Sequence, residues 1–410
     1  MTRDGKILFL TRIVRLFAYG SLSVILLLYL SSIGLSETRI GLLLTLTLLG
    51  DTLISLWLTT RADAVGRRIT LIAGAGLMIF GGVLFAVTSN FVVLLIAATI
   101  GVLSPSGYEV GPFLSLEQSA LSSIVSDRQR THVFAWYNLV GSFATALGAL
   151  VTGICVQALQ NAHMTPVASY RWVIIGYAGI GALLALGFKG LSSRVEAPKT
   201  TRTELSSELK RRFGLDRSKG IVLKLSLLFS LDAFAGGFVL QSIIAYWFSM
   251  RFGVEPAILG SIFFGANILA GVSALSAVWI ASRIGLVRTM VYTHIPSNIL
   301  LILVPLMPTL TLAIAMLLLR FSISQMDVPT RQSYVMAVVR PEERSAAGGI
   351  TGIARTIGAS ISPVITGPFL ASATLASLPF FISGGLKIVY DLLLYRSFKS
   401  TGAPEERVRP

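Results

Sequence analysis

Long apolar stretches separated by short polar connections dominate the pattern of this chain. About 20 apolar residues form a helix of about 30 Å, which is the thickness of the hydrocarbon core of a bilayer. Because lipid offers no partner to backbone N–H and C=O groups, each such stretch has to be helical. Twelve stretches have this length, at residues 13–33, 39–59, 69–88, 91–117, 133–156, 171–190, 222–248, 257–281, 287–307, 309–332, 347–370 and 376–395.

The predicted spans form two groups of six, separated by the longest polar stretch, residues 191–220. This stretch contains ELSSELKRRFG, which fits a short amphipathic helix on the membrane surface as well as a solvated linker. We therefore predict an all-α membrane protein of two related six-helix bundles. The N-terminal bundle covers residues 1–190, a cytoplasmic linker covers 191–220, and the C-terminal bundle with a short cytoplasmic tail covers 221–410.

Composition supports a membrane protein and excludes several other classes. Hydrophobic residues make up 54% of the chain and charged residues 13%, whereas soluble proteins carry about 25% charged residues. This argues against a cytosolic enzyme, a disordered protein and a nucleic-acid-binding domain. The net charge of +15 lies mostly between the apolar stretches, so we expect the bilayer surface, not nucleic acid, as the partner. One cysteine and three widely separated histidines predict neither a disulfide framework nor a metal site.

The distribution of Lys and Arg predicts the topology. With both termini in the cytoplasm, 25 basic residues fall in cytoplasmic segments, and only Arg39, Arg171 and Arg251 fall in outer connections. This asymmetry follows the positive-inside rule. We expect a multi-pass protein of the cell membrane (inner or plasma membrane) with both termini in the cytoplasm.

Two similar segments indicate an internal duplication. SIVSDRQRTHVF follows predicted span 4 and AVVRPEERSAAG follows predicted span 10. Aligning Arg130 with Arg344 gives an offset of 214 residues, and the same offset pairs Glu117 with Arg331. Duplicated six-helix halves are typical of secondary transporters, which bind substrate where the repeats meet.

The segment TTRADAVGRR, between predicted spans 2 and 3, resembles the signature G-x-x-x-D-x-x-G-R-R/K of the major facilitator superfamily. Asp63, Gly66, Arg67 and Arg68 match it, and Thr59 replaces the leading glycine. The resemblance implies a twelve-helix transporter that works by alternating access. It also implies that these four residues form a cytoplasmic gate, in which the acid faces the positive end of a helix in the other half.

Two departures from drug exporters of the resembled superfamily concern the direction of transport. Ala97 stands in span 4 where many exporters have an arginine, although Arg320 in span 10 offers a counterpart. Span 5 keeps Gly141, Gly148 and Gly153 of an antiporter motif but has no proline. Efflux by proton exchange is therefore favoured only modestly.

Charged side chains within the spans are the candidate functional residues. Each costs about 2.5–3.5 kcal/mol in hydrocarbon on the mildest scale, so such residues usually face a partner or a water-filled cavity. In the resembled family spans 1, 4, 7 and 10 line the cavity. The residues assigned to substrate binding or proton coupling are Glu109, Glu117, Asp232, Asp327, Arg331 and Asp51.

The pattern also suggests pairings among these charges. Asp327 and Arg331 share a helix face at i, i+4, and the internal repeat makes an ion pair of Glu117 with Arg331 geometrically reasonable. Glu109 is the first choice for the protonatable carboxylate and Asp327 the second. Asp51 is either a site residue or the partner of a base on a neighbouring helix.

Other charges in the spans are interpreted as structural, and two glycines and two prolines are expected to bend span 4. Lys387 and Asp391, also at i, i+4, are expected to neutralise each other. Arg12 and Arg15 are expected to snorkel to the membrane interface. The residues that should bend or loosen span 4 are Pro105, Gly107, Gly111 and Pro112.

The leading hypothesis is a secondary transporter that exports a lipophilic or drug-like compound by proton-coupled exchange. The several carboxylates within the spans would also suit a cationic compound. The alternatives are a proton-coupled symporter that imports a nutrient or metabolite and, from another class, a channel or a membrane receptor. No G-x-x-x-x-G-K-[ST] motif is present, so the expected energy source is a proton gradient. We expect no enzymatic activity, no cofactor and no metal, and a monomer whose partners are the lipid bilayer and a small-molecule substrate.

Overall fold

The structure, a computed structural model, describes residues 2–125, 127–196, 218–340 and 343–399. The helices before the linker are α1 Arg3–Ser32, α2 Glu37–Val65, α3 Arg67–Val87, α4 Phe91–Ile100, α5 Phe113–Ile124, α6 Asp127–Asn161 and α7 Pro166–Lys189. Those after it are α8 Lys219–Gly237, α9 Gln241–Phe252, α10 Pro256–Ile284, α11 Leu286–Leu303, α12 Leu310–Phe321, α13 Asp327–Val338, α14 Arg344–Leu370 and α15 Leu378–Phe398. Short 3-10 helices cover Ser193–Val195 and Val304–Leu306.

Nine candidate spans within the described ranges are long and apolar enough to cross a membrane, and one of them, Lys219–Phe252, contains both α8 and α9. The helices α4 and α12 are apolar but shorter. The prediction of an all-helical membrane protein is confirmed. Helix starts follow the sequence: Asn90 caps α4 by accepting from the N–H groups of Val92 and Val93, and Thr165 caps α7 immediately before Pro166. The segment ELSSELKRRFG of the linker lies outside the described residues.

Contacts divide the chain into two compact units. The first unit consists of Met1–Thr200 and Leu240–Asn267, and the second of Thr201–Val239 and Ile268–Pro410. These units differ from the predicted halves, 1–190 and 221–410, mainly at residues 240–267, which group with the first unit. The difference starts where predicted span 7 is interrupted, between the end of α8 and the start of α9.

Predicted spans 4, 7 and 10 are each two helices instead of one. In span 4, residues 101–112 separate α4 from α5, and Gly107 and Gly111 have φ angles of 75° and 78°, which only glycine adopts without strain. The predicted disruption at this place is confirmed. In span 10, residues 322–326 separate α12 from α13, and Pro329 lies in the first turn of α13, where proline is tolerated.

Side chains of neighbouring helices satisfy part of the backbone in the interruption of span 4. This matters because unpaired backbone groups are costly away from water. The partners come from α1, α7 and α2: Tyr19 donates to the Val110 carbonyl at 3.2 Å, Tyr177 donates to the Val102 carbonyl at 2.7 Å, and Asp51 accepts from the Gly111 N–H at 2.6 Å. The position of residues 101–112 therefore depends on three other helices of the first unit.

The second unit has an apolar core beside its charged residues. Phe229 of α8, Tyr334 of α13, and Tyr390 and Leu394 of α15 are all buried in it. Large apolar side chains elsewhere are exposed, among them Leu227 and Val278. In a soluble protein such exposure would favour association, but on membrane-spanning helices these side chains face lipid.

Candidate functional site

Four charged side chains form a buried cluster in the first unit. Arg15 of α1 holds Glu117 of α5 in a two-pronged ion pair, with Nη1–Oε1 and Nη2–Oε2 distances of 2.6 Å, and both side chains are 0% exposed. Such fork-to-fork pairing is the strongest geometry between arginine and a carboxylate. The Tyr137 hydroxyl of α6 donates a further hydrogen bond to Glu117.

Glu109 completes this cluster from the interrupted part of span 4. It forms an ion pair with Arg12 and a second with Arg15, whose Nη2 lies 3.1 Å from Oε1. Arg12 also donates to the Tyr137 carbonyl at 2.7 Å and to Asn138 Oδ1 at 3.3 Å. The prediction that Arg12 and Arg15 snorkel to the interface is therefore wrong, because two glutamates within the unit compensate their charges.

Asp51 of α2 lies against the same interruption but has no cation beside it in the described part of the chain. Its Oδ1 accepts from the Gly111 N–H at 2.6 Å and from the Ser55 hydroxyl at 3.4 Å. The alternative of a basic partner on a neighbouring helix is not what the structure shows. Asp51 is thus a carboxylate within the spans whose charge is offset by dipoles alone.

Asp232 of α8 is the centre of a second cluster, which lies in the second unit. Its Oδ1 is 2.6 Å from Lys387 Nζ of α15, and its Oδ2 is 3.1 Å from Arg331 Nη1 of α13 and 3.8 Å from Arg355 Nη1 of α14. Arg331 also pairs with Asp327 at 2.8 Å, so the predicted i, i+4 contact on α13 is present. One carboxylate is therefore shared by cations from three helices.

His294 of α11 belongs to this second cluster, and the sequence analysis missed it. Its Nδ1 lies 2.9 Å from Asp391 Oδ1, and its Nε2 lies 3.9 Å from Asp232 Oδ1. Asn298 donates to Asp391 at 3.2 Å. The expected pair of Lys387 with Asp391 is wrong, since Lys387 binds Asp232 and Asp391 binds His294. The available signal was an ionisable histidine within a span, where such residues are rare.

The expected pair of Glu117 with Arg331 is also corrected, because each has its partners within its own unit. The repeat itself is real: α5 and α13 have twelve residues each, and both their bounds are offset by 214 positions. Glu117 and Arg331 occupy equivalent places, but Glu117 pairs with a base on α1 and Arg331 with an acid on α8. The second cluster repeats the pairing of the first with the charges exchanged.

The predicted gate residues lie at the junction of α2 and α3. Gly66 has a φ of 113°, which ends α2 and lets α3 start at the next residue. Arg67 Nε lies 3.0 Å from Asp63 Oδ1. Glu196 accepts hydrogen bonds from the backbone N–H groups of Arg67, at 2.5 Å, and Arg68, at 3.2 Å, so it caps the N-terminus of α3. No sequence pattern pointed to this long-range contact, and the predicted contact of Asp63 with the other half stays a prediction.

No group of three or more His, Cys, Asp or Glu side chains suited to a metal ion occurs among the described residues. The ionisable groups of both clusters are instead arranged as pairs of opposite charge. Such pairs can exchange partners or take up a proton, and either change alters the balance between two conformations that differ in these contacts.

Comparisons with known proteins agree with this architecture. A family model described as Major Facilitator Superfamily matches residues 8–363. The chain is 31% identical over 429 aligned residues to the "Uncharacterized membrane protein YJR124C" of Saccharomyces cerevisiae. The alignment covers 98% of this chain and 95% of that protein.

Solved transporter structures share the fold. A D-xylose-proton symporter superposes with a TM-score of 0.76 at 15% identity, over 96% of this chain and 97% of the other. A bacterial homolog of the human lysosomal transporter Spinster, in an inward-facing and occupied conformation, superposes with a TM-score of 0.73 at 16% identity. This match covers 99% of this chain and 98% of the other. At these identities the similarity concerns the fold alone.

Proposed function

The chain belongs to the Major Facilitator Superfamily and is a secondary transporter, and we propose that it exports a lipophilic or drug-like organic compound in exchange for protons. It has the fold of this family, with twelve membrane spans in two related six-helix bundles. The proposal concerns the coupling ion, the direction and the substrate, and it rests on the buried charges described above.

The sharing of Glu109 between two arginines carries the proposal of proton coupling. Glu109 is 14% exposed, whereas Glu117 and Arg15 are 0% exposed. Glu109 is therefore the carboxylate of this cluster that a proton reaches first. Its neutralisation leaves Arg12 without a carboxylate among the described residues, while Arg15 keeps Glu117.

The resulting imbalance favours a rearrangement of the first unit. A buried cation that loses its counter-ion costs about 3–5 kcal/mol, and a conformational equilibrium shifts by as much as its two states differ in such terms. Proton uptake at Glu109 thereby favours whichever orientation lets Arg12 find water or another acceptor. Asp51, which no described cation offsets, is a second position where a proton removes an uncompensated charge.

Packing of the span 5 glycines supports exchange over co-transport. A Cβ at Gly148 would collide with the Phe17 carbonyl of α1, and one at Gly153 would collide with the backbone of α10 at Pro256 and Gly260. The glycines that remain of the antiporter motif therefore hold close helix contacts, and this retained packing is what supports exchange. A proton-coupled importer remains the alternative.

The location of the protein follows the same reasoning. It is a multi-pass membrane protein, and we infer that it is a monomer in the cell membrane with both ends in the cytoplasm. The excess of Lys and Arg in the segments assigned to the cytoplasm supports this orientation.

Purified protein in liposomes, with a membrane-impermeant pH-sensitive dye in the outer medium, tests the proposal. Candidate compounds come from a panel of toxins and carbon sources to which a knockout strain responds differently. Proton exchange predicts acidification of the outer medium when such a compound is added outside, whereas alkalinisation would show symport. Counterflow of the radiolabelled compound distinguishes a transporter from a channel, since a channel cannot produce it. Counterflow without any pH change would refute proton coupling.

A further inference from the structure

Two helix pairs, α1 with α6 and α8 with α14, are structural equivalents. In each pair small residues let the helices approach closely. The contacts occur at matching positions. In the first unit, Gly20 lies against the Thr145 carbonyl and Gly148 lies against the Phe17 carbonyl. In the second unit, Gly237 lies against the Ala359 carbonyl, and the Ser362 hydroxyl donates a hydrogen bond to the Phe234 carbonyl. The offset is 217 positions from α1 to α8 and 214 positions from α6 to α14, so individual residues of the two units can be matched.

This alignment places a guanidinium at one equivalent position in both units. Arg355 of α14 matches Gly141 of α6, and a Cβ at Gly141 would lie 2.9 Å from Arg12 Nε. The first unit therefore fills this position with an arginine from α1, and the second unit fills it with an arginine from α14. Arg15 of α1 likewise matches Asp232 of α8, in agreement with the exchanged charges of the two clusters.

The two guanidinium groups differ in what surrounds them. Arg12 has Glu109, the Tyr137 carbonyl and Asn138 as partners. Arg355 has, among the described residues, Asp232 as its only carboxylate within 4 Å, at 3.8 Å, and its buried Nη1 makes no hydrogen bond.

The sequence explains this difference. Counted back from the matching starts of α5 and α13, Glu109 corresponds to Ile323. The second unit has an apolar residue where the first unit supplies the carboxylate for this arginine. A buried guanidinium nitrogen without an acceptor is costly, and an anionic group from outside the chain would remove that cost.

Arg355 is also the open edge of its cluster. Its side chain is 34% exposed, whereas those of Asp232, Arg331 and Lys387 are 10% exposed or less. The face of α14 that carries it packs against α8 or is buried, through Thr351, Gly358 and Ser362. The exposed apolar residues lie on the other side of the helix, at Ile357, Ile361 and Ile365. The exposure of Arg355 is therefore not exposure to lipid.

Two glycines leave space on helices of this cluster, Gly352 of α14 near Arg355 and Gly236 of α8 near Lys387. A Cβ at Gly352, one turn before Arg355, would meet no atom within 4 Å. A Cβ at Gly236, one turn after Asp232, would meet only Lys387, at 3.7 Å from its Nζ. The edge of the cluster thus has room for a ligand group that reaches Arg355 and Lys387.

We propose that Arg355 anchors an anion-binding site in the second unit, which takes the carboxylate, sulfonate or phosphate group of the transported organic compound. This inference rests on the proposed transport function and narrows its substrate class. All three aspartates of the cluster already face a cation or His294, so the cluster offers no spare carboxylate to a cationic compound. The ligand group takes the place that Glu109 has in the first unit.

Charge-selective thiol labelling tests the site with small reagents alone and requires no substrate. The chain has a single cysteine, Cys155, so a Cys155→Ser background leaves one reporter when Gly352→Cys is added. The full-length protein in liposomes is treated with a methanethiosulfonate that carries a sulfonate, or with one that carries a trimethylammonium. Ala373→Cys, on an exposed turn between α14 and α15, gives the ratio of the two rates for an ordinary accessible thiol.

The proposal predicts that the ratio of the anionic to the cationic labelling rate is at least about tenfold higher at position 352 than at position 373. Arg355→Gln should remove most of this preference, and Arg355→Lys should keep it. An equal ratio at both positions, no reaction at position 352, or a preference that survives Arg355→Gln would overturn the proposal. Gly236→Cys serves as a second reporter if Gly352→Cys does not fold.

Labelling requires no turnover, which separates this test from that of the proposed function. Loss of the anion preference in a protein that still exchanges protons would reject the substrate class alone. An intact preference in a protein without proton exchange would reject the coupling and leave the anion site standing.

Discussion

In the first unit two arginines of one helix meet two glutamates of one span, whereas in the second unit a single aspartate faces cations from three other helices. The first arrangement is closed, because each charge has a close partner of opposite sign. The second is a hub, and Arg355 at its edge is held loosely. Equivalent positions of a duplicated fold can thus keep a buried ion pair although the acid and the base have changed places. The two clusters can also differ in how completely their charges are paired.

The largest loss of stability is expected when Asp232, the aspartate at the centre of the second cluster, is neutralised. Asp232→Asn takes the ion-pair partner from Lys387 and Arg355, while Arg331 keeps Asp327, and an uncompensated buried charge costs about 3–5 kcal/mol. Thermal unfolding in detergent should show a much larger loss for Asp232→Asn than for Asp327→Asn, which unpairs no cation completely. Equal losses would mean that the second cluster is not organised around Asp232.

A smaller loss of stability is expected in the closed cluster. Glu117→Gln removes the two-pronged contact with Arg15, but Glu109 still compensates that arginine, so we expect about 1.5–3 kcal/mol. Glu255→Gln, at an exposed position between α9 and α10, is the matched control and should unfold like the parent protein. A loss for Glu117→Gln as large as that for Asp232→Asn would contradict the contrast between the two clusters.

Glu109→Gln should affect coupling more than stability. Proton-driven accumulation of substrate in liposomes should be abolished while downhill exchange persists, because the residue that takes the proton is lost but the path is not. Glu255→Gln again provides the control. Uphill transport at the parental rate would remove Glu109 from the mechanism.

Transferring the carboxylate of the first cluster to the second should close the hub. Ile323→Glu places an acid at the position equivalent to Glu109, where we expect it to pair with Arg355. The anion preference of a reporter at position 352 should then fall to that of Arg355→Gln, and thermal stability should stay within about 1 kcal/mol of the parent. Ile323→Gln controls for polarity without charge, and the same loss of preference in that variant would argue against the alignment.

The smallest change in stability is expected at the predicted gate. Asp63 and Arg67 are partly exposed, and a pair of this kind contributes about 0.2–1 kcal/mol. Asp63→Asn should therefore slow turnover with little loss of substrate affinity, as measured by steady-state kinetics in liposomes. A large loss of affinity at normal turnover would indicate a direct role in substrate binding.

The spans and the duplication could be predicted because both are properties of the sequence itself. Apolar length fixes a helix in lipid, and the offset that matched Glu117 with Arg331 reappears in the bounds of α5 and α13. The interruption of span 4 was visible through its prolines and glycines. That of span 10 was not, because residues 322–326 include neither proline nor glycine.

The partners of the buried charges could not be derived in the same way. Spacing along one helix found the contact of Asp327 with Arg331, but it also suggested one of Lys387 with Asp391 that the structure replaces by contacts to other helices. Which helix supplies the counter-ion depends on tertiary packing, to which hydropathy and spacing are blind. His294 and Glu196 escaped for the same reason.

Glu109 lies in the non-helical segment 101–112, so its position depends on contacts with other helices. The phenol groups of Tyr19 and Tyr177 and the carboxylate of Asp51 act as three tethers on that segment. If the proposed coupling involves Asp51, a proton there would weaken its bond to the Gly111 N–H, two residues from Glu109. We expect this to shift Glu109 relative to Arg12. The two acids are in this way linked through the backbone, so we expect the neutral replacements Tyr19→Phe and Tyr177→Phe to change the proposed proton coupling without altering a charge.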